Sequence, residues 1–196
     1  AEWLSTSGEV TINAPPEFIW GIWENLEDLP LWQPWLHDVK CLPDDLSVWT
    51  LKKKVAGIPL SFSWTAKSLP PEKHQLIHWE AVSGTLANRG RVNFAQACEA
   101  GETTHIKMTI EYKLPKIVAT IFRANEGGWV NRKITHIIQR DLETFRAIAE
   151  DLHHKGGDLP TVAAHHTSTL SRIDVDVEEA GEETGKEAEK EAGEAA

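Results

Sequence analysis

The hydrophobic positions of this chain change period along its length, and the changes divide it into elements. Val10-Thr-Ile-Asn closes a first strand, and Ala14-Pro-Pro-Glu opens a helix with proline near its first turn, where a missing N–H costs nothing. Phe18, Ile19, Ile22 and Trp23 give that helix an apolar stripe at helical spacing. Glu27 to Trp32 reads as a second short helical piece, ended by Pro34. From there the period becomes two, and strands are predicted over 35–42, 47–55, 60–68, 75–82 and 88–99. A further strand, 103–114, is the clearest: Ile106, Met108, Ile110, Tyr112 and Leu114 alternate with His105, Lys107, Thr109, Glu111 and Lys113. The breaks carry turn chemistry, as in Pro43-Asp-Asp, Ala56-Gly-Ile-Pro, Leu69-Pro-Pro-Glu-Lys, Ser83-Gly84 and Ala100-Gly101. Links this short make the strands antiparallel.

After Pro115 the helical period returns. Ile117, Val118, Ile121 and Phe122 share a face, and Gly127-Gly128 interrupts it. A long helix over 129–153 then carries Ile134, Ile137, Ile138, Leu142, Phe145, Ile148, Ala149 and Leu152 at spacings of three and four, until Gly156-Gly157 stops it. About 25 helical residues span roughly 37 Å, enough to cross a whole sheet. The order is strand, two short helices, strands only, then one long helix. It predicts an α+β fold in which a curved antiparallel sheet of about six to seven strands wraps the C-terminal helix and can leave a cavity.

Composition sharpens the boundaries. With 196 residues and 41% hydrophobic content the chain can bury one ordinary core, so one domain over 1–155 and a tail over 156–196 are expected. The net charge of −10 is mostly the tail's: residues 174–196 hold ten acids against Lys186 and Lys190, which leaves the body near −2. A nearly neutral body argues against a global electrostatic grip on DNA or other nucleic acid. Glu, Ala, Gly and Lys without an aromatic cannot offset ordering entropy by burial, so the acidic tail is read as disordered. The sharper reading is an interaction tail, or a helix formed on a partner. Cys41 and Cys98 fall on predicted strands without ligand-type spacing and read as buried free thiols in a reducing compartment. No apolar run is long enough for a membrane span. Residue 1 is Ala and no signal-peptide pattern follows, so any presequence is expected to lie outside this sequence.

Four fragments, in order, resemble a known family: APPEFIWGIWENLEDLPLWQPWLHDV, WTAKSLPPEKHQLIHWEAVSGTLANRGRVNF, TTHIKMTIEYKLP and RDLETFRAIAE. Between Glu9 and Leu152 the chain is similar to the helix-grip, START-like (SRPBCC) superfamily. The resemblance is to its polyketide cyclase/dehydrase and lipid-transport branch, which includes coenzyme Q-binding and ribosome-association proteins. It implies a curved sheet gripping the C-terminal helix, with an apolar cavity between them. Fold transfers from such a likeness better than function, because this architecture hosts binding proteins, transporters and enzymes.

In a cup of this kind the inward strand positions and the facing helix stripe line the cavity. Those positions are Phe62, Trp64, Trp79, Val92, Phe94, Met108, Ile110 and Tyr112, with Trp129, Ile134 and Ile137 opposite. The lining is almost wholly apolar, with the Tyr112 hydroxyl and the indole N–H groups as its polar handles. The expected ligand is a hydrophobic small molecule such as a lipid, quinone or isoprenoid, bound or transported without a cofactor. The plain alternative is that these side chains only fill a core. Inward strand positions offer Tyr112 but no His, Asp or Glu, while His78, Glu80, Arg91 and Glu111 alternate outward. No catalytic residue is therefore assigned. A cyclase or dehydratase acting on a polyketide-like chain through Tyr112 is the rival function.

Other chemistry is thin. His153-His154 and His165-His166 are adjacent pairs without the i, i+4 geometry of a zinc helix, His74 and His78 straddle a turn and a strand, and no metal is expected. Lys52-Lys53-Lys54 with Arg132, Lys133 and Arg140 offers a ribosome-facing surface, although a charge run is usually a solvated face. The segment Leu31-Trp-Gln-Pro-Trp offers a peripheral membrane contact, with a packed lid over the cavity mouth as the preferred reading. Cytoplasm, with or without peripheral membrane contact, is the expected location.

Overall fold

A computed structural model describes residues 3–55, 57–98, 102–121 and 128–156. From residue 157 the expected acidic tail lies outside the described residues, as do Phe122 and Gly127. Strands β1 (Leu4–Ile12), β2 (Leu36–Cys41), β3 (Leu46–Val55), β4 (Ile58–Ser68), β5 (Leu76–Gly84), β6 (Ala87–Gln96) and β7 (Thr104–Lys113) form one antiparallel sheet in the order β1-β7-β6-β5-β4-β3-β2. Helix α1 (Pro16–Trp23) and a 3₁₀ turn (Leu26–Leu31) come between β1 and β2. Helices α2 (Lys116–Ile121) and α3 (Trp129–His154) follow β7. This is the curved sheet and long terminal helix that the resemblance implies.

Local chemistry explains the departures from the predicted boundaries. Pro30 lies inside the second helical piece, which forms as a tight 3₁₀ turn. β1 begins six residues before Val10, and its inward positions read Leu4, Thr6, Gly8, Val10 and Ile12. Thr and Gly at two of those positions hide the period of two. β2 carries an irregularity between Leu36 and Asp38, so Leu36 and Val39 both face the core although three apart. The thiols are not buried: Cys41 and Cys98 are both exposed. Cys41 ends the edge strand β2 beyond the reach of the core, and Cys98 follows β6, which stops at Gln96. Gly156 ends α3 in the left-handed conformation (φ 62°), with its N–H donating to the His153 carbonyl.

Helix α3 lies along β1. A Cβ at Gly8 would stand 3.1 Å from Leu142 and 3.2 Å from Ile138, so glycine lets the helix approach this closely. One flank of α3 then serves the free edge of β1. Gln139 Nε2 donates to the Glu9 carbonyl at 2.9 Å, its Oε1 accepts from the Glu9 N–H at 3.0 Å, and Asn131 Nδ2 donates to the Ser5 carbonyl. Thr135 and Thr6 hydroxyls meet at 2.6 Å, and Glu150 accepts from the Asn13 N–H. The last turns of α3 are sealed by aromatics: Phe145 is fully buried with its ring centroid 4.9 Å from those of both Trp23 and Trp32, and Phe94 packs on Trp20 and Trp23. Such pairs add roughly 0.5–1.5 kcal/mol each beyond their area burial.

Across the middle strands the concave face carries stacked indoles. Trp49 lies between Trp64 (5.9 Å, 22°) and Trp79 (5.9 Å, 17°). Trp79 also covers Gly90, its partner in register on β6, where an added Cβ would fall 2.3 Å from the ring. The ring is buried and held by Trp49, so it has little freedom to retreat. Gly90→Ala is therefore expected to lower stability by about 1–3 kcal/mol, with an unchanged denaturant slope, in urea unfolding followed by far-UV circular dichroism.

Candidate functional site

The sheet register separates inward from outward residues as the alternation predicts. Trp64, Trp79, Val92, Phe94, Met108, Ile110 and Tyr112 face the concave side. His78, Glu80, Arg91 and Glu111 lie on the outer face, where Arg89 grips Glu111 through two hydrogen bonds of 2.6 and 3.1 Å. The His78 ring reaches the Pro70 carbonyl at 2.9 Å.

The candidate lining residues fall into three groups. Phe94 and Met108 belong to the sealed end; Met108 takes the Gln33 amide at 3.6 Å, and Phe94 is enclosed by Trp20 and Trp23. Trp64 and Trp79 form the indole stack with Trp49. Trp49 Nε1 donates to Ser47, whereas Trp64 Nε1 is buried with no hydrogen-bond partner among the described residues. Phe62, Trp129, Ile134 and Ile137 are only half-buried. Tyr112 stands apart, because its hydroxyl donates to Asn131 Oδ1 at 2.9 Å and Asn131 in turn holds the β1 backbone. Burial pushes the Tyr112 phenol well above its usual range.

Around the first half of α3, on the flank away from β1, inward apolar side chains keep solvent contact. Leu51, Phe62, Ile110, Leu114 and Ile134 pack on the core yet stay partly exposed. Two charged residues join this flank. Asp141 is 5% exposed, and one of its oxygens accepts from Trp35 Nε1 at 2.7 Å. Lys53 follows Trp49 and Leu51 on the inward parity of β3 and is half-buried, while Lys52 and Lys54 are exposed. Burial pushes the Asp141 carboxyl up to about 8, although the Trp35 bond and the charges of Arg140 and Lys53 pull the other way. Burial also lowers the Lys53 ammonium, against the attraction of Asp141.

The concave side thus holds an acid that strand parity does not reveal, because it comes from the helix. Asp141 was legible all the same: Ile134, Ile138, Asp141 and Phe145 follow spacings of four, three and four, which puts a carboxylate on the apolar stripe. The basic run is likewise split by period two, and Lys53 turns inward. In the Trp-rich segment Trp32 is fully buried between Trp23 and Phe145, and Trp35 is the clasp on Asp141. Among the described residues no three His, Cys, Asp or Glu side chains gather in a metal-holding group, and no helix is long and apolar enough to cross a membrane.

A sheet curled around one helix, with an apolar concave flank left partly open, defines the helix-grip α+β class. Within that class the chain belongs to the polyketide cyclase/dehydrase and lipid transport family, whose model matches residues 12–134. No curated protein matches the chain in sequence. Solved structures share the fold. A Deinococcus radiodurans protein is 24% identical with a TM-score of 0.57, over 74% of this chain and 97% of its own. A START superfamily protein from Mycobacterium smegmatis is 13% identical with a TM-score of 0.60, over 76% and 98%. The Zhui aromatase/cyclase from Streptomyces sp. R1128 is 14% identical with a TM-score of 0.56, over 80% and 100%.

Asp141 gives the fold a pH dependence of known sign. Its folded value of about 8 stands above the ordinary 3.8, so the folded state holds a proton that the unfolded chain releases, and stability falls as pH rises through that window. Asp141→Asn keeps an acceptor for Trp35 and removes the titration. The variant is expected to lose less stability than the parent between pH 5 and 8, by at most about 1.4 kcal/mol per pH unit, in urea unfolding at several pH values.

Proposed function

We propose that this protein binds or carries a hydrophobic small molecule, of lipid, quinone or isoprenoid type, between the middle strands and the first half of α3. The observation that carries this reading is the uneven burial of inward-facing apolar side chains. At the sealed end Ile12, Ile19, Trp32 and Phe145 are fully buried, whereas Leu51, Phe62, Ile110, Leu114 and Ile134 keep exposed surface although they face the same concave side. Removing apolar surface from water stabilises by about 25 cal/mol per Å², so an apolar guest laid along this flank gains what the fold alone leaves unused. In this reading Phe62, Trp64, Trp79, Trp129, Ile134 and Ile137 form the walls, and Phe94 and Met108 the floor. Membership of a family described by both cyclisation and lipid transport is consistent with such a guest.

A second reading rests on Asp141. A buried carboxyl that keeps its proton near neutral pH is a general acid in a largely apolar setting, which a cyclase or dehydratase acting on a polyketide-like chain would use. With the Tyr112 hydroxyl committed to Asn131, Asp141 is the better candidate for that role.

Native mass spectrometry with organic extraction tests the binding reading. A discrete hydrophobic adduct is expected, lost on denaturation. Ile137→Trp, which fills the flank from a half-exposed position, is expected to abolish the adduct and cut uptake of a fluorescent fatty-acid probe at least tenfold while leaving the far-UV spectrum unchanged. Probe uptake that is equal in the parent and in Ile137→Trp counts against the site.

A further inference from the structure

Two charged groups on the open flank have incomplete partners. Lys53 is half-buried on the inward face of β3, and among the described residues it makes no hydrogen bond and no ion pair within 4.0 Å. Opposite it on α3, Asp141 is held among the described residues only at Oδ2, by the Trp35 indole. Each is near enough to the other to feel its charge, and Arg140 adds a second positive charge to both. An ammonium without a counter-ion is costly to hold even half out of water, and the Asp141 oxygen that Trp35 leaves unbonded is not sealed from the open flank. Proteins tolerate such pairs where a ligand completes them.

We propose that Lys53 and Asp141 form the polar anchor of the cup and take the carboxylate head of an amphipathic acid, whose apolar body lies against Phe62, Trp64, Ile134 and Ile137. The proposal rests on the apolar-ligand reading above and adds the chemistry of the head. The Asp141 carboxyl retains its proton at neutral pH and so presents an O–H donor, while Lys53 presents N–H donors and the charge. A carboxylate has two oxygens, and the site has one donor group for each. With Asp141 neutral, Lys53 keeps its positive charge on the flank, which selects an anion over a neutral ester of the same shape. A phosphate head, with its greater charge and additional oxygens, would find too few donors here. Trp35 fixes the carboxyl so that its other oxygen can meet the ligand.

The test compares dodecanoic acid with methyl dodecanoate on the full chain at pH 7, by calorimetry and tryptophan fluorescence. The acid is expected to bind at least tenfold tighter than the ester, since a charge-assisted hydrogen bond is worth about one to two powers of ten. In Lys53→Met the acid is expected to fall to the ester's affinity while ester binding stays unchanged, and Lys53→Arg is expected to restore the preference. Equal binding of acid and ester by the parent, or a preference that survives Lys53→Met, overturns the anchor but leaves the apolar cup standing. Failure of both molecules to bind the parent overturns the cup and the anchor together. Far-UV spectra and melting temperatures of the variants separate loss of binding from loss of fold.

Discussion

Strand β1 lies at one edge of the sheet, and the backbone groups on its free side would be open to another chain if α3 did not serve them. Edge strands are a standing aggregation hazard, usually blunted by charge, proline or a covering element. Here the cover is a helix whose side chains substitute for a neighbouring strand: Asn131, Thr135 and Gln139 recur every four residues, and Glu150 reaches the residue just past the end of β1. Gly8 brings the two backbones close enough for these short amides to reach. The position of α3 is thus set by polar bonds at one edge as much as by burial in the centre.

Much else follows from that lateral docking. A helix fastened to β1 presents one flank to that edge and, at Asp141, another towards Lys53 of β3. At its C-terminal end α1 and the 3₁₀ turn bring Trp23 and Trp32 onto Phe145, and the interior closes. Towards its N-terminal end the middle strands supply indoles instead of a second helix, and burial of the inward apolar residues is incomplete. The closed end buries its inward apolar side chains fully, and the open flank buries them only in part. Asp141 sits where the two regimes meet, and Trp35 ties it to the start of β2.

Most of the fold was legible in the chain because each element carries one clean period. β7 alternates without exception, and the stripe of α3 runs unbroken from Ile134 to Leu152. β1 was legible only at its end, since Thr6 and Gly8 occupy inward positions for reasons that lie in α3, more than a hundred residues away. The candidate site was legible as a face of the sheet and not as a set of contacts. Parity placed Phe62, Trp64, Trp79 and Ile134 on the concave side, but no local pattern says that Phe94 and Met108 join a sealed end, or that Tyr112 is spent on Asn131. Lys53 was obscured by its lysine neighbours, and Asp141 because it enters from the helix and not from a strand. Proximity across 88 residues of chain is a property of the tertiary structure, and neither residue announces it alone.

The stack of Trp64, Trp49 and Trp79 has an optical consequence. Indoles whose ring centroids lie 5.9 Å apart, with planes inclined by 22° and 17°, share their excitation, so the three rings absorb as one coupled chromophore. Folding therefore writes a signature into the far-ultraviolet dichroism, where the strong indole transition lies, that no isolated tryptophan gives. That stack lies on the concave face of the sheet, so its signal reports on that face. The molecule thus carries its own dye on the inner side of the sheet.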